Sequence, residues 1–151
     1  MNDLQTTIMN LEKIHRELPL LADKIPSIRK DFIMGEYGCY NNSTLSNPVC
    51  DSHGCGLGNS ARLFDVSKPE YYNKWGKFCY TSFSKDILPS LKSDLWHYLF
   101  SVGWGEEHSG FKTFDNFIDR VSNMIELLKE KGVVEVSFYH SSSNDLTIIN
   151  H

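Results

Sequence analysis

The segment Thr113-Phe114-Asp115-Asn116-Phe117-Ile118-Asp119-Arg120-Val121-Ser122-Asn123-Met124-Ile125-Glu126-Leu127-Leu128-Lys129-Glu130-Lys131 sets the fold class, because its apolar positions recur with the period of an α-helix. Phe114, Phe117, Val121, Met124 and Leu128 form one stripe. Asp119, Arg120, Asn123, Glu126 and Glu130 are expected to face away from it, which predicts a helix with one buried and one solvated side. Lys129 and Lys131 suit the negative end of the helix dipole, and Gly132 supplies the stop.

Beyond Gly132 the period falls to two. Val134, Val136 and Phe138 alternate with Glu135, Ser137 and Tyr139; a turn-rich stretch from Ser141 to Asp145 then leads to a β-prone run from Leu146 to Ile149, predicting a terminal hairpin. At the other end Leu4, Ile8, Leu11, Ile14 and Leu18, with Lys13, Arg16 and Glu17 between them, predict a first amphipathic helix that Pro19 ends or bends. Pro26 breaks the stretch that follows. Ser93 and Asp94 can cap a short helix carrying Leu95, Trp96, Leu99 and Phe100 that stops before Gly103, and the polar run from Asn41 to Pro48 reads as a surface loop at about residues 40–49. The expected fold is α+β and mainly α: one domain over residues 1–151, built of amphipathic helices with a small C-terminal β-hairpin.

Composition agrees with one core. The 151 residues, 17.3 kDa, are enough for a domain that buries roughly 68–70% of its unfolded surface. Apolar residues at 40% and charged residues at 23% fit neither a disordered chain nor a disulfide scaffold. Fifteen Lys and Arg against 19 Asp and Glu leave a net charge of −4, which excludes the broad basic face of a non-specific nucleic-acid binder but leaves room for a local anion site. No apolar run is long enough to span a bilayer, and the first residues lack the basic and apolar regions of an export signal, so a soluble cytoplasmic protein without a membrane partner is expected. On that reading Cys39, Cys50, Cys55 and Cys79 are reduced thiols.

The chemistry-bearing segment runs from Cys50 to Arg62. Ser52-His53-Gly54-Cys55-Gly56-Leu57-Gly58 puts cap residues and glycines ahead of a helix-compatible run in which Leu57, Ala61 and Phe64 share a face. A glycine-lined helix entrance can offer backbone N–H donors to an anion, with Arg62 one turn later. The spacing matches neither a dinucleotide fingerprint nor a phosphate loop, since G-x-G-x-x-G and the Gly-Lys-Ser/Thr ending are both absent. Three alternatives stand beside anion binding. Cys55 near a helix start, with His53 or His97 as base, would suit a thiol nucleophile. Cys39, Cys50, His53 and Cys55 have the donor types of a zinc site but no paired Cys-x2-Cys knuckle, so no metal is expected. Finally, Gly54, Gly56 and Gly58 can be read as serving only a tight turn and close backbone approach. Tyr37, Tyr71, Tyr72, Trp75, Trp96 and Trp104 could stack on a base or anchor a partner, Trp96 being better suited to the core and Trp104, between two glycines, more open to a ligand.

Asp31-Phe32-Ile33-Met34-Gly35-Glu36-Tyr37, the run from Cys50 to Ala61, Leu99-Phe100-Ser101-Val102-Gly103-Trp104 and the segment from Thr113 to Leu128 occur in an order that resembles a family of short, functionally unassigned proteins of phages, other mobile elements and bacterial genomes. The family pattern has a Cys-Gly-Thr-x-x-Cys-x-x-Gly-like segment followed by Leu-Phe-x-x-x-Trp. Here Asp51-Ser52 stands where that pattern has Gly-Thr, Tyr37 where it commonly has Trp, and a long loop separates Tyr37 from Cys50. The resemblance implies an accessory protein of a mobile element and brings no reaction with it. The expectation is therefore a protein that binds a small anionic, nucleotide-like ligand without turnover and without a cofactor, for instance to sequester a host defence signal, with a homo-oligomer left open. Ser52, His53, Gly54, Cys55, Gly56, Gly58, Arg62 and Trp104 are the candidate ligand residues. The alternatives are a hydrolase or transferase using Cys55, with His53 as its base, and an interaction protein that masks a host protein through exposed aromatics.

Overall fold

A computed structural model describes residues 2–32, 56–76, 78–91, 93–100, 113–132, 136–137 and 147–148 of the chain. The surface loop expected at about 40–49 and the turn of the expected terminal hairpin lie outside these residues. What is described is mainly helical and shares one core.

Helix α1, Asp3–Lys24, opens with a capping box: the Asn2 side chain accepts the Gln5 amide at 2.8 Å, and the Gln5 side chain accepts the Asn2 amide at 3.1 Å. Leu11, Ile14, Leu18 and Ala22 are buried along one side, with Leu4 and Ile8 packed at its margin. Thr7 is buried too. Its hydroxyl donates to the Asp3 carbonyl and accepts the Ser90 amide at 2.9 Å, so the stripe contains a polar residue that ties the helix to a distant turn. Pro19 does not end this helix. Proline removes one N–H from the ladder, but here the residue one turn back, His15, is exposed, while Leu18 and Ala22 on either side of Pro19 are buried and hold the last turn against the core. The chain then turns through Pro26 into the single-turn helix α2, Ser27–Lys30, which buries Ile28.

Two short pieces follow in the described chain: helix α3, Gly56–Ser60, which continues into a 3-10 turn at Ala61–Leu63, and a second 3-10 turn at Pro69–Tyr71. Helix α4, Tyr80–Ile87, and helix α5, Ser93–Phe100, complete the middle of the molecule. Helix α6, Phe114–Lys131, is the element foreseen in the sequence. Thr113 caps it by accepting the Asn116 amide at 3.1 Å, and Gly132 closes it at φ +71°, donating to the Leu128 carbonyl at 3.0 Å. Phe114, Phe117, Val121, Met124 and Leu128 are all buried. Arg120, expected to face away, is fully buried as well. Its guanidinium lies 4.7 Å from the centroid of the Tyr98 ring and donates to the Tyr98 carbonyl at 2.8 Å, so the charge is housed between α6 and α5 on an aromatic face and a helix-end acceptor. Asn123, one turn on, donates to the Tyr98 hydroxyl at 3.1 Å.

The first and last of these helices, α1 and α6, pack on each other most extensively, and Lys129 pairs with Glu12 at 2.9 Å across their exposed margin. Two aromatic groups fill the core around them. Phe32 meets the rings of Phe114 and Phe117, each at 6.0 Å, and Phe117 continues to Phe100. Phe83 collects Phe64, Tyr71 and Phe78 at 5.5–5.9 Å. Such pairs add roughly 0.5–1.5 kcal/mol each beyond their burial. After α6, strand β1, Val136–Ser137, pairs antiparallel with β2, Thr147–Ile148, with Val136 opposite Ile148. Among the described residues no helix is long and apolar enough to cross a membrane.

Candidate functional site

Of the candidate ligand residues, Gly56, Gly58 and Arg62 are described; Ser52, His53, Gly54, Cys55 and Trp104, like Cys39 and Cys50, lie outside the described residues. The three that are described divide between packing and charge. All five residues of α3 are buried. A Cβ built on Gly56 would stand 2.3 Å from the Phe117 ring, so the absence of a side chain there is what lets α3 lie against α6. Gly58 is buried in the same turn, and Leu57 and Ala61 are fully buried, as the shared face in the sequence required. Asn59, itself buried, accepts from the Arg62 Nε at 3.0 Å and so fixes a half-buried guanidinium at the end of the segment. Among the described residues the neighbouring Ser60 hydroxyl, buried, has no hydrogen-bond partner.

The sequence reading named Tyr71, Tyr72, Trp75 and Cys79 but assigned no element to residues 65–87, where side chains of chemical interest gather. The signal was there: Tyr80, Phe83, Ser84 and Ile87 stand at helical spacing, and all four are buried in α4. The chain reaches α4 through a tight turn. Tyr72 and Phe78 form an antiparallel bridge, the Asn73 carbonyl accepts the Gly76 amide at 2.9 Å, the Asn73 side chain accepts the Trp75 amide at 2.9 Å, and Gly76 takes φ +76°. Only glycine adopts that conformation without strain. The turn projects Trp75, 73% exposed, with the Lys74 ammonium 4.5 Å from its ring. The other indole described, Trp96, is half-buried and donates to the Ser84 hydroxyl at 2.8 Å, a core-edge role in keeping with its helix.

Below the turn, the Tyr71 ring is buried while its hydroxyl donates to the Asp86 carboxylate, and Lys68 reaches the same carboxylate at 3.3 Å. Burial, then the adjacent carboxylate, pushes the Tyr71 hydroxyl far above the usual tyrosine range, and the Tyr71 hydrogen bond holds Asp86 below the usual carboxylate range. The cluster pins the Pro69–Tyr71 turn to α4. Cys79 stands at the N-cap of α4 as a free, half-buried thiol. The Ser82 hydroxyl donates to its sulfur at 3.3 Å and, with the amides of the first turn and Lys85, lowers the thiol below its ordinary value, although no side-chain cap bond closes. Of the histidines, His15 stands on the exposed side of α1, and His97, named above as a possible base, falls within α5. No group of three or more metal-ligating side chains occurs among the described residues. Comparison with known proteins returns no matching family model, no matching curated protein and no matching solved structure.

Proposed function

We propose that the chain is a binding protein, holding a small anionic, nucleotide-like ligand at the segment from Ser52 to Arg62 without turning it over. The observation that carries this reading is the Asn59–Arg62 pair. A buried amide holds the guanidinium by Nε, so the cation stands at a defined place one turn after the glycines and adds a charge-assisted bond to whatever the backbone donors before it receive. Gly56 has a packing role of its own through its contact with Phe117, and the proposed anion site comprises Ser52, His53, Gly54, Cys55, Gly56 and Gly58 ahead of Arg62, with Trp104 as the proposed stacking surface. A cytoplasmic accessory protein of a mobile element that sequesters a host signal is the use that the family resemblance suggests. The expected C-terminal β-hairpin, built around the Val136–Ile148 pairing, completes the proposed single domain.

Native mass spectrometry of protein purified from cells identifies the retained ligand. Arg62→Ala then weakens its binding at least about tenfold, equivalent to about 1.4 kcal/mol, with the fold kept and the thermal midpoint lowered only by the lost bond to Asn59. Unchanged affinity sinks the assignment of the site. Cys55→Ser retains most of the affinity on this reading, whereas turnover by the parent that the serine variant lacks would establish the thiol enzyme instead.

A second reading is favoured by Trp75. Among the aromatics named as potential anchors, Tyr71 is buried and Trp96 half-buried, while Trp75 is carried outward on a locked turn. On this reading the chain masks a partner protein, and the indole is the anchor. Trp75→Ala lowers affinity for a partner isolated with the parent protein by at least about tenfold and leaves the fold intact, the energy expected for an indole buried at an interface centre; a partner that binds the variant equally well refutes it.

A further inference from the structure

We draw no further inference here: the strongest candidate, the Asn73–Gly76 turn that projects Trp75 beside Lys74, belongs to the interaction reading already described, and nothing in the structure shows what covers a single exposed indole.

Discussion

Gly56 shows most directly what one atom does in this fold. A methyl group at that position meets the Phe117 ring far inside van der Waals distance, and the ring is fully buried, so accommodating it means shifting a packed core side chain. Gly56→Ala is expected to destabilise the protein by about 1–3 kcal/mol, the usual cost of overpacking. Gly76→Ala makes the comparison, since nothing among the described residues lies within 4 Å of its added Cβ and the expected loss is the backbone strain of positive φ alone, about 1–2 kcal/mol. Denaturant unfolding of both, with and without Phe117→Leu, checks the mechanism: the smaller side chain should restore stability to the Gly56 variant and not to the Gly76 variant. Tyr71 and Asp86 give a pH signature. Asp86 titrates lower in the folded protein than unfolded, so its contribution is present above the ordinary aspartate range and is lost as pH falls through the depressed folded value. Tyr71 titrates higher when folded, so its contribution is present below its ordinary value of 10 and is lost as pH rises beyond it. Tyr71→Phe should flatten the acid fall in stability and remove the tyrosine's part of the alkaline one. Each effect is of the order of 1 kcal/mol or less, because the carboxylate is half exposed. Parallel pH–stability curves for parent and variant would show that the hydroxyl and the carboxylate do not act as a unit.

Helix α1 carries the element-scale lesson, since it runs through the residue that local rules say should stop it. The interior proline costs a backbone hydrogen bond and a steric contact, and the burial of Leu18 and Ala22 offsets both. Pro19→Ala is accordingly expected to stabilise the protein by at least about 1 kcal/mol, read as a raised denaturant midpoint with unchanged slope; a loss of stability would mean that the proline serves the bend or the packing of the helix. Helices α1, α5 and α6 were legible because their apolar residues mark one side at the right period. Arg120 was misread for the same reason: periodicity sorts residues by hydropathy and cannot see that the Tyr98 ring and carbonyl furnish an interior seat for a cation. Helix α4 escaped because the mixed run Tyr80-Thr81-Ser82-Phe83 is rich in residues of weak helical preference, and tertiary burial of Phe83 and Ile87 overrides that preference. At the candidate site, the spacing foretold the burial of Leu57 and Ala61, whereas Phe64, expected on the same helical face, is half-buried in extended backbone beyond the 3-10 turn. Spacing could not foretell that Gly56 meets a ring from α6, because that contact is made across the fold.

On the scale of the whole molecule, the ties that matter join distant parts of the chain. Thr7 holds Ser90, Asn10 donates to the Ile87 carbonyl at 2.7 Å, and Glu12 pairs with Lys129 across 117 positions. The middle of the chain is thus clamped between its first helix and its last long one, and the segment proposed to bind the ligand rests on both: α3 packs on α1, and Gly56 abuts Phe117. A fold closed in this manner has an awkward birth. During synthesis α1 emerges before α6, with Leu11, Ile14 and Leu18 bare, and the 89 residues from 25 to 113 are added before its main partner begins. At about 5–20 residues per second the separation between Glu12 and Lys129 takes roughly 6–23 s to make. Helical hairpins mate with a neighbour almost as soon as it appears, whereas here α1 meets α3 and α4 before its most extensive partner, α6, is made, and closing that long loop slows the final step of folding. Ribosome-bound nascent chains halted before α6 should therefore be the form of this protein that chaperones hold and proteases cut, and release of the last helix the event that ends its vulnerability.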